Sequence, residues 1–265
     1  MSEKIVVTGA AGFIGSHVVD ALLARGDIVV GVDNFDSFYD PDIKRANLAD
    51  AMLHQSFELV EADVRDAAAM RLVIDAFHPT AIVHLTARAG VRPSIHDPAL
   101  YAAVNVLGTT VLLDAARAAK VSRLIVASSS SVYGDDATPP FREDEPAIMP
   151  ISPYAATKRA AELMCGTYAA LCGWMRIISL RFFTVYGPRQ RPDLAIHSFT
   201  RRIMACEPVP FFGDGTAERD YTYITDTVQG VLGAVDRTRT SAPGHEIFNL
   251  GESAVTSLSA LVQLI

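Results

Sequence analysis

The chain has 265 residues, half of them hydrophobic, and a formal net charge of −7. This length supports one large or two small domains with a real core, and the composition excludes a disordered chain. The acidic balance excludes a basic nucleic-acid footprint and a cationic membrane-surface helix, so neither nucleic acid nor a membrane is an expected partner.

Residues 4–8 form a short apolar run and read as a strand. A glycine-rich turn follows, Gly9-Ala10-Ala11-Gly12-Phe13-Ile14-Gly15, and then a helical stretch to Arg25. A second apolar strand at 28–32 ends in Asp33. This is the order of a β-α-β unit that holds a dinucleotide. Glycines let the backbone turn tightly and approach a pyrophosphate, and the helix N-terminus directs free N–H groups and a positive dipole end at it. Asp33 lies 18 residues after Gly15, where a carboxylate can accept hydrogen bonds from ribose hydroxyls and repel a 2′-phosphate. No Lys or Arg follows it immediately, so NAD is expected rather than NADP. The spacing is G-x-x-G-x-x-G; a βα turn that binds nothing is the alternative reading.

Further strands are expected at 57–61, 81–85, 123–127 and 176–181, and helices near 13–25, 67–77, 98–119 and 152–172. A short helix is expected at 43–54, after an irregular polar stretch with Pro41. Such alternation implies a parallel sheet with helices on both faces. After Arg181 proline and glycine cluster, as in Gly187-Pro188, Pro208-Val209-Pro210 and Gly213-Asp214-Gly215. The expected division is therefore 1–181 for the dinucleotide-binding domain and 182–265 for a smaller lobe, with 246–250 returning as a strand to the main sheet. Residues 258–265 read as a helix without a stop signal, which suggests an incomplete chain; a normal frayed terminus is the alternative reading.

Cys165, Cys172 and Cys206 cannot pair completely and lack metal-ligand spacing, so they are expected to be reduced in a cytoplasmic protein. The seven histidines form no H-E-x-x-H or H-x-x-x-H pair, and no metal is expected. No apolar run approaches the ~20 residues of a membrane helix, and the start lacks the organisation of a signal peptide.

Two further motifs carry chemistry. The strand at 123–127 leads into Ser128-Ser129-Ser130-Ser131-Val132-Tyr133-Gly134, placing hydroxyls at a strand's C-terminal end, where an open α/β sheet builds its site. Tyr154 and Lys158 stand at i and i+4 on one helix face. An ammonium near the phenol would favour the phenolate and let it take a proton from a sugar hydroxyl near neutral pH. Ser152 is a candidate N-cap and Pro153 suits the first turn. Taken singly, the tyrosine–lysine pair reads as a solvated helix face and the serine run as a loop; their order along one chain favours a site.

On these motifs the chain resembles the extended short-chain dehydrogenase/reductase family, which acts on nucleotide sugars. Asp63-Val64, His84-Leu85-Thr86-Ala87, Arg181-Phe182-Phe183-Thr184-Val185-Tyr186-Gly187-Pro188 and Arg219-Asp220-Tyr221 extend the resemblance over essentially the whole chain. Asp33-Asn34-Phe35 through Lys44-Arg45, Ala89-Gly90-Val91-Arg92 and Arg191-Pro192-Asp193 look most like the UDP-glucuronate 4-epimerases. The resemblance implies a Rossmann-type doubly wound α/β fold with a smaller C-terminal substrate-binding lobe.

It also implies roles. Gly9, Gly12, Phe13, Ile14 and Gly15 would hold the NAD pyrophosphate, Asp33 and Asn34 the adenosine ribose, and Asp63 and Val64 the adenine. Leu85, Thr86 and Ala87 would line the cofactor's middle. Tyr154 would be the base, Lys158 would bind the nicotinamide ribose, and Ser129 would share the reacting hydroxyl's hydrogen bond. Arg219 would pair with the UDP diphosphate, and Ser129, Ser130, Thr184 and Arg191 would hold a uronate carboxylate away from the geometry for CO₂ loss. Arg191 could instead be a surface charge beside Pro192. Related dehydratases and decarboxylases carry carboxylates where Ser130 and Ser131 stand, which argues against those reactions. The implied activity is 4-epimerisation of UDP-glucuronate through a transient 4-keto sugar with tightly held NAD. The alternatives are a UDP-glucose/galactose or N-acetylhexosamine 4-epimerase and, from another class, a silent NAD-binding scaffold or sensor. A homodimer through the helices at 98–119 and 152–172 is a further implication. Thr86, Arg88 and Pro93 depart from the relatives' usual residues, and the relatives continue beyond the position of Ile265 to complete the nucleotide pocket.

Overall fold

The structure is a computed structural model and describes residues 2–135, 137–210 and 213–265. Its centre is a seven-stranded sheet built from β1 (Lys4–Thr8), β2 (Ile28–Asp33), β3 (Phe57–Glu61), β4 (Ala81–His84), β5 (Arg123–Ser129), β6 (Arg176–Phe182) and β9 (Gly244–Leu250). The spatial order is β3-β2-β1-β4-β5-β6-β9, and every neighbouring pair is parallel. A sheet covered on both faces must be apolar on both, and β1 is: Ile5 and Val7 enter one core while Val6 enters the other. Strand order reverses between β1 and β4, so a crevice opens at the C-terminal ends of these strands.

Helices α1 (Phe13–Ala24), α3 (Ala67–Phe77), α6 (Gly108–Ala118) and α7 (Pro153–Cys172) fall where the sequence places them. The stretch expected at 98–119 is composite: α5 (Pro98–Tyr101), a π-helical segment Ala102–Leu107 and α6. Contrary to the expectation, Pro98–Ala118 is long and apolar enough to match a membrane span by composition, with mean hydropathy 1.5. Here Leu112, Leu113, Ala115 and Ala116 bury against the sheet. The expected helix at 43–54 resolves into α2 (Pro41–Asn47) and a 3-10 turn, Ala51–Leu53, and α4 is Val91–His96. As expected, Ser152 caps α7, its side chain accepting the Ala155 N–H at 3.1 Å.

The sequence reading did not single out α9 (Ile224–Thr240), although Ile224, Val228, Val231 and Val235 recur at helical spacing. These side chains join the core that holds α1, so α9 covers the main sheet. The last strand, β9, pairs with β6 and includes the 246–250 stretch expected to return. Beside this body lies a small sheet of β7 (Thr184–Tyr186), β8 (Glu218–Tyr223) and β10 (Val255–Ser257), in the order β10-β8-β7. The helices α8 (Ala195–Met204) and α10 (Leu258–Leu264) complete it.

Candidate active site

The crevice begins at the end of β1. Gly9 has φ +71, and a Cβ there would stand 2.8 Å from the backbone nitrogen of Thr86. A Cβ on Gly15, in the first turn of α1, would come within 1.9 Å of the Gly9 carbonyl oxygen. The glycines are thus required for the turn and the helix to touch. Gly12 is the N-cap of α1 and no side chain caps the helix, which leaves its first N–H groups for an anionic ligand.

Asp33 ends β2 and is buried. Its Oδ2 accepts the Ala11 N–H at 3.1 Å and its Oδ1 accepts the Phe35 N–H at 2.9 Å, which ties the acid to the glycine turn. Burial raises its carboxyl, opposed chiefly by Lys44. The Lys44 Nζ stands 4.0 Å from Asp33 Oδ1, so the fold supplies from α2 the cation that the local sequence lacks. Beside it, Asn34 donates to Asp63 Oδ2 at 3.0 Å, and hydrogen bonds from Arg65 draw the Asp63 carboxyl down to about 2.

At the other end of the crevice β5 delivers the serine run. Ser128 turns inward and donates to Glu162 at 2.6 Å. Ser129 accepts the Ser131 N–H at 3.2 Å and stands near enough to the Tyr154 phenol to favour its ionised form. Burial pushes that phenol up, and Ser129 and Arg191 oppose the rise. Lys158, expected to be the lowering charge, instead donates to the Ala127 carbonyl at 2.8 Å, and burial drops its own ammonium to about 8. The four-residue spacing gives a shared face but not the direction of the ammonium, which the end of β5 decides.

Arg191 is not a free surface charge. Its side chain is 16% exposed, it forms a two-bond pair with Asp193 at 2.9 and 2.7 Å, and it lines the same crevice as Tyr154. All the cofactor residues expected from the sequence line this crevice: Gly9, Gly12, Phe13, Ile14, Gly15, Asp33, Asn34, Asp63, Val64, Leu85, Thr86, Ala87, Tyr154 and Lys158. Ser129, Ser130, Thr184 and Arg219 are not among its lining residues. Ser129 reaches the site through Tyr154, Ser130 opens a 3-10 turn just beyond it, and Thr184 opens β7. Arg219 is exposed on β8 and donates to the Glu218 carbonyl at 2.8 Å.

Sequence reasoning missed Asp36, Phe38, Tyr39, Lys44 and Val104 as lining residues. Arg88, a departure from the relatives' usual residue that was expected near the cofactor or substrate edge, does line the crevice. A run of loop residues after a strand's C-terminal end was the available signal, since that edge of the sheet holds the crevice. Beneath the site lies a buried ionic cluster. Arg181 donates to both Glu162 oxygens at 2.9 and 3.0 Å, and its guanidinium stacks 4.7 Å from the Tyr133 ring centre. Three His, Cys, Asp or Glu side chains with metal-holding geometry do not occur among the described residues.

An acidic anchor at one end, a capless helix in the middle and a serine–tyrosine–lysine set at the other make a site for a dinucleotide beside a hydroxyl-bearing substrate. Residues 5–251 match the NAD dependent epimerase/dehydratase family. UDP-glucuronate 4-epimerase 1 of Arabidopsis thaliana is 42% identical over 99% of this chain, and the chain spans 64% of that relative's length. The crystal structure of UDP-glucuronic acid 4-epimerase from Bacillus cereus, in complex with UDP-glucuronic acid and NAD, superposes with a TM-score of 0.87. It is 35% identical, over 97% of this chain and 80% of that one. UDP-glucose 4-epimerase from Thermotoga maritima, solved with UDP-glucose, gives a TM-score of 0.86 at 34% identity, over 98% of this chain and 81% of that one.

Proposed function

Because the chain belongs to the NAD dependent epimerase/dehydratase family, we propose that it interconverts UDP-glucuronate and UDP-galacturonate as a 4-epimerase, with NAD in the crevice. The observation that carries this reading is that Tyr154 and Arg191 line one dinucleotide crevice, with Ser129 near the phenol: a hydroxyl that can exchange a proton beside a mostly buried cation suited to a carboxylate. The likeness to the plant and Bacillus cereus UDP-glucuronate 4-epimerases supports the uronate substrate.

The residues fit NAD. Gly9 and Gly15 leave a cradle that a Cβ would fill, and the first turn of α1 offers its N–H groups to the pyrophosphate. Asp33 would hold the adenosine ribose, with Asn34 and Asp63 beside it, and Lys158 the second ribose. Bound NAD supplies a reversible hydride acceptor for C4 of the sugar. Tyr154 takes the proton from the 4-hydroxyl and, once the 4-keto sugar has turned to present its other face, returns it to the same oxygen, which Ser129 orients. Arg191, with Ser130 and Thr184, would fix the carboxylate, where planar guanidinium geometry suits it. Arg219, exposed on β8, would meet the UDP diphosphate.

Residues 1–181 with β9 serve as the NAD-binding part, and the small sheet with its helices serves as the substrate lobe. The chain is proposed to act in the cytoplasm, in keeping with its free cysteines Cys165, Cys172 and Cys206, without nucleic-acid or membrane partners. The exposed apolar side chains of Leu107 and Leu163 support pairing of two copies through the segments 98–118 and 153–172. An NMR time course with UDP-glucuronate and, in parallel, UDP-glucose tests the activity. Growth of UDP-galacturonate without UDP-xylose is expected; turnover of UDP-glucose alone would overturn the assignment of Arg191.

A further inference from the structure

The segment after β2 and the segment after β4 lie on opposite sides of β1, and one ion pair joins them. Asp36 comes from the first segment and Arg88 from the second. Both line the crevice, so their contact bridges the edge at which β1 delivers the glycine turn. We propose that the Asp36–Arg88 pair is a latch across the dinucleotide crevice that slows release of bound cofactor. The proposal rests on the reading of the crevice as an NAD site and not on the identity of the sugar.

Each half of the latch is held by its own backbone. The Asp36 N–H donates to Asn34 Oδ1 at 3.1 Å, and Asp36 Oδ1 accepts the Phe38 N–H at 2.8 Å, which fixes the turn that carries the carboxylate. On the other side Asn105 grips the Arg88 backbone twice, accepting from its N–H at 2.7 Å and donating to its carbonyl at 3.0 Å. The π-helical segment Ala102–Leu107 presents Asn105 for this grip. Only the Arg88 side chain therefore has to swing for the crevice to open.

Phe38 closes the gap between the two. The Arg88 guanidinium carbon lies 4.4 Å from its ring centre, and that of Arg191 lies 5.2 Å from it. Such stacking adds attraction in a partly desolvated setting. The Arg88 and Asp36 side chains are 20% and 36% exposed, so water screens their pairing less than that of a fully exposed pair. Arg88 Nε is buried without a hydrogen-bond partner, which leaves the guanidinium a spare donor while Nη1 holds the carboxylate.

The test measures NAD release from the loaded protein by stopped-flow or filter-retention chase, with no sugar present. Asp36→Asn keeps the acceptor for the Phe38 N–H and removes the charge, and Arg88→Gln keeps the backbone grip of Asn105. Each is expected to speed release about tenfold, and the double variant no further, because one contact is lost in every case. The reversed pair, Asp36→Arg with Arg88→Asp, restores the ion pair but not the Phe38 contacts, and is expected to recover part of the retention. Circular dichroism melts within a few degrees of the parent establish that the variants fold. Fast release in Arg88→Gln with unchanged release in Asp36→Asn would overturn the latch and assign Arg88 to the cofactor alone. Unchanged release in both would also overturn it. A parent protein that binds no NAD would overturn the cofactor reading together with the latch.

Discussion

Replacing Arg181 with Met probes the ionic cluster beneath the site. Arg181 and Glu162 side chains are each 1% exposed, and two hydrogen bonds join them. Removing one partner of such a pair leaves an uncompensated buried charge, at a cost of about 3–5 kcal/mol. Glu162 keeps Ser128 at 2.6 Å and Arg159 at 3.0 Å, so the lower end, about 3 kcal/mol, is expected. The pH dependence has a definite sign. In the parent, burial is the largest influence on Glu162, yet Arg181, Ser128 and Arg159 together hold its carboxyl below the ordinary value. A carboxyl depressed in the folded state contributes stability that is present above its unfolded pKa and lost as pH falls through the folded one. Without Arg181, burial dominates and the carboxyl moves up. The variant then regains stability as pH falls and the group takes a proton. The gap between parent and Arg181→Met, measured by urea denaturation, is therefore expected to shrink between pH 7.5 and pH 5. Glu162→Gln added to Arg181→Met removes the stranded charge and is expected to recover part of the loss. A gap constant with pH, or a double variant no more stable than Arg181→Met, would refute this account.

Further outcomes follow from the same geometry. Gly15→Ala places a Cβ that the Gly9 carbonyl cannot accommodate, and calorimetric titration is expected to find NAD binding weakened by about a hundredfold. Tyr154→Phe is expected to cut kcat about 10²–10⁴-fold while NAD stays bound, as read by turnover and by retained absorbance of the dinucleotide. Lys158 has a folded pKa lowered to about 8, so the unfolded chain binds more protons between about pH 8 and its ordinary value, and stability should rise with pH there. Lys158→Met removes that penalty. It is expected to be more stable than the parent at pH 7, by about 1–3 kcal/mol in urea melts, with the advantage fading above pH 8.

What could be read without coordinates was what lies close along the chain. Gly9 to Asp33 is one contiguous β-α-β unit, and its turn, helix start and acid have fixed mutual positions once the unit forms. Ser152, Tyr154 and Lys158 lie on one helix and were equally legible. Lys44 was not, because its approach to Asp33 depends on how α2 packs and not on spacing. The direction of Lys158 was hidden for the same reason: the carbonyl it meets belongs to β5. The helix α9 had the required apolar spacing, but it follows the proline- and glycine-rich stretch after Arg181, where no further regular βα unit was expected.

The division has a physical basis. Residues proposed to hold the dinucleotide sit on β1, α1 and the strand ends beside them, where sheet pairing fixes the backbone. A second group comes from loops: Phe38 and Arg88 stand on the connections after β2 and β4, Arg191 on the one after β7, and both guanidiniums lie against the Phe38 ring. Loops at the C-terminal edge of a parallel sheet can change without disturbing the strands that carry them. The strands thus hold the cradle for the cofactor, and the loop triad is expected to set charge and width in the rest of the crevice. A single exchange in that triad, such as Phe38→Ala, would be felt by Arg88 and Arg191 at once. Cofactor retention and carboxylate recognition are therefore expected to change together in that variant, as measured by NAD release and by KM for the uronate, whereas two independent loops would let one change without the other.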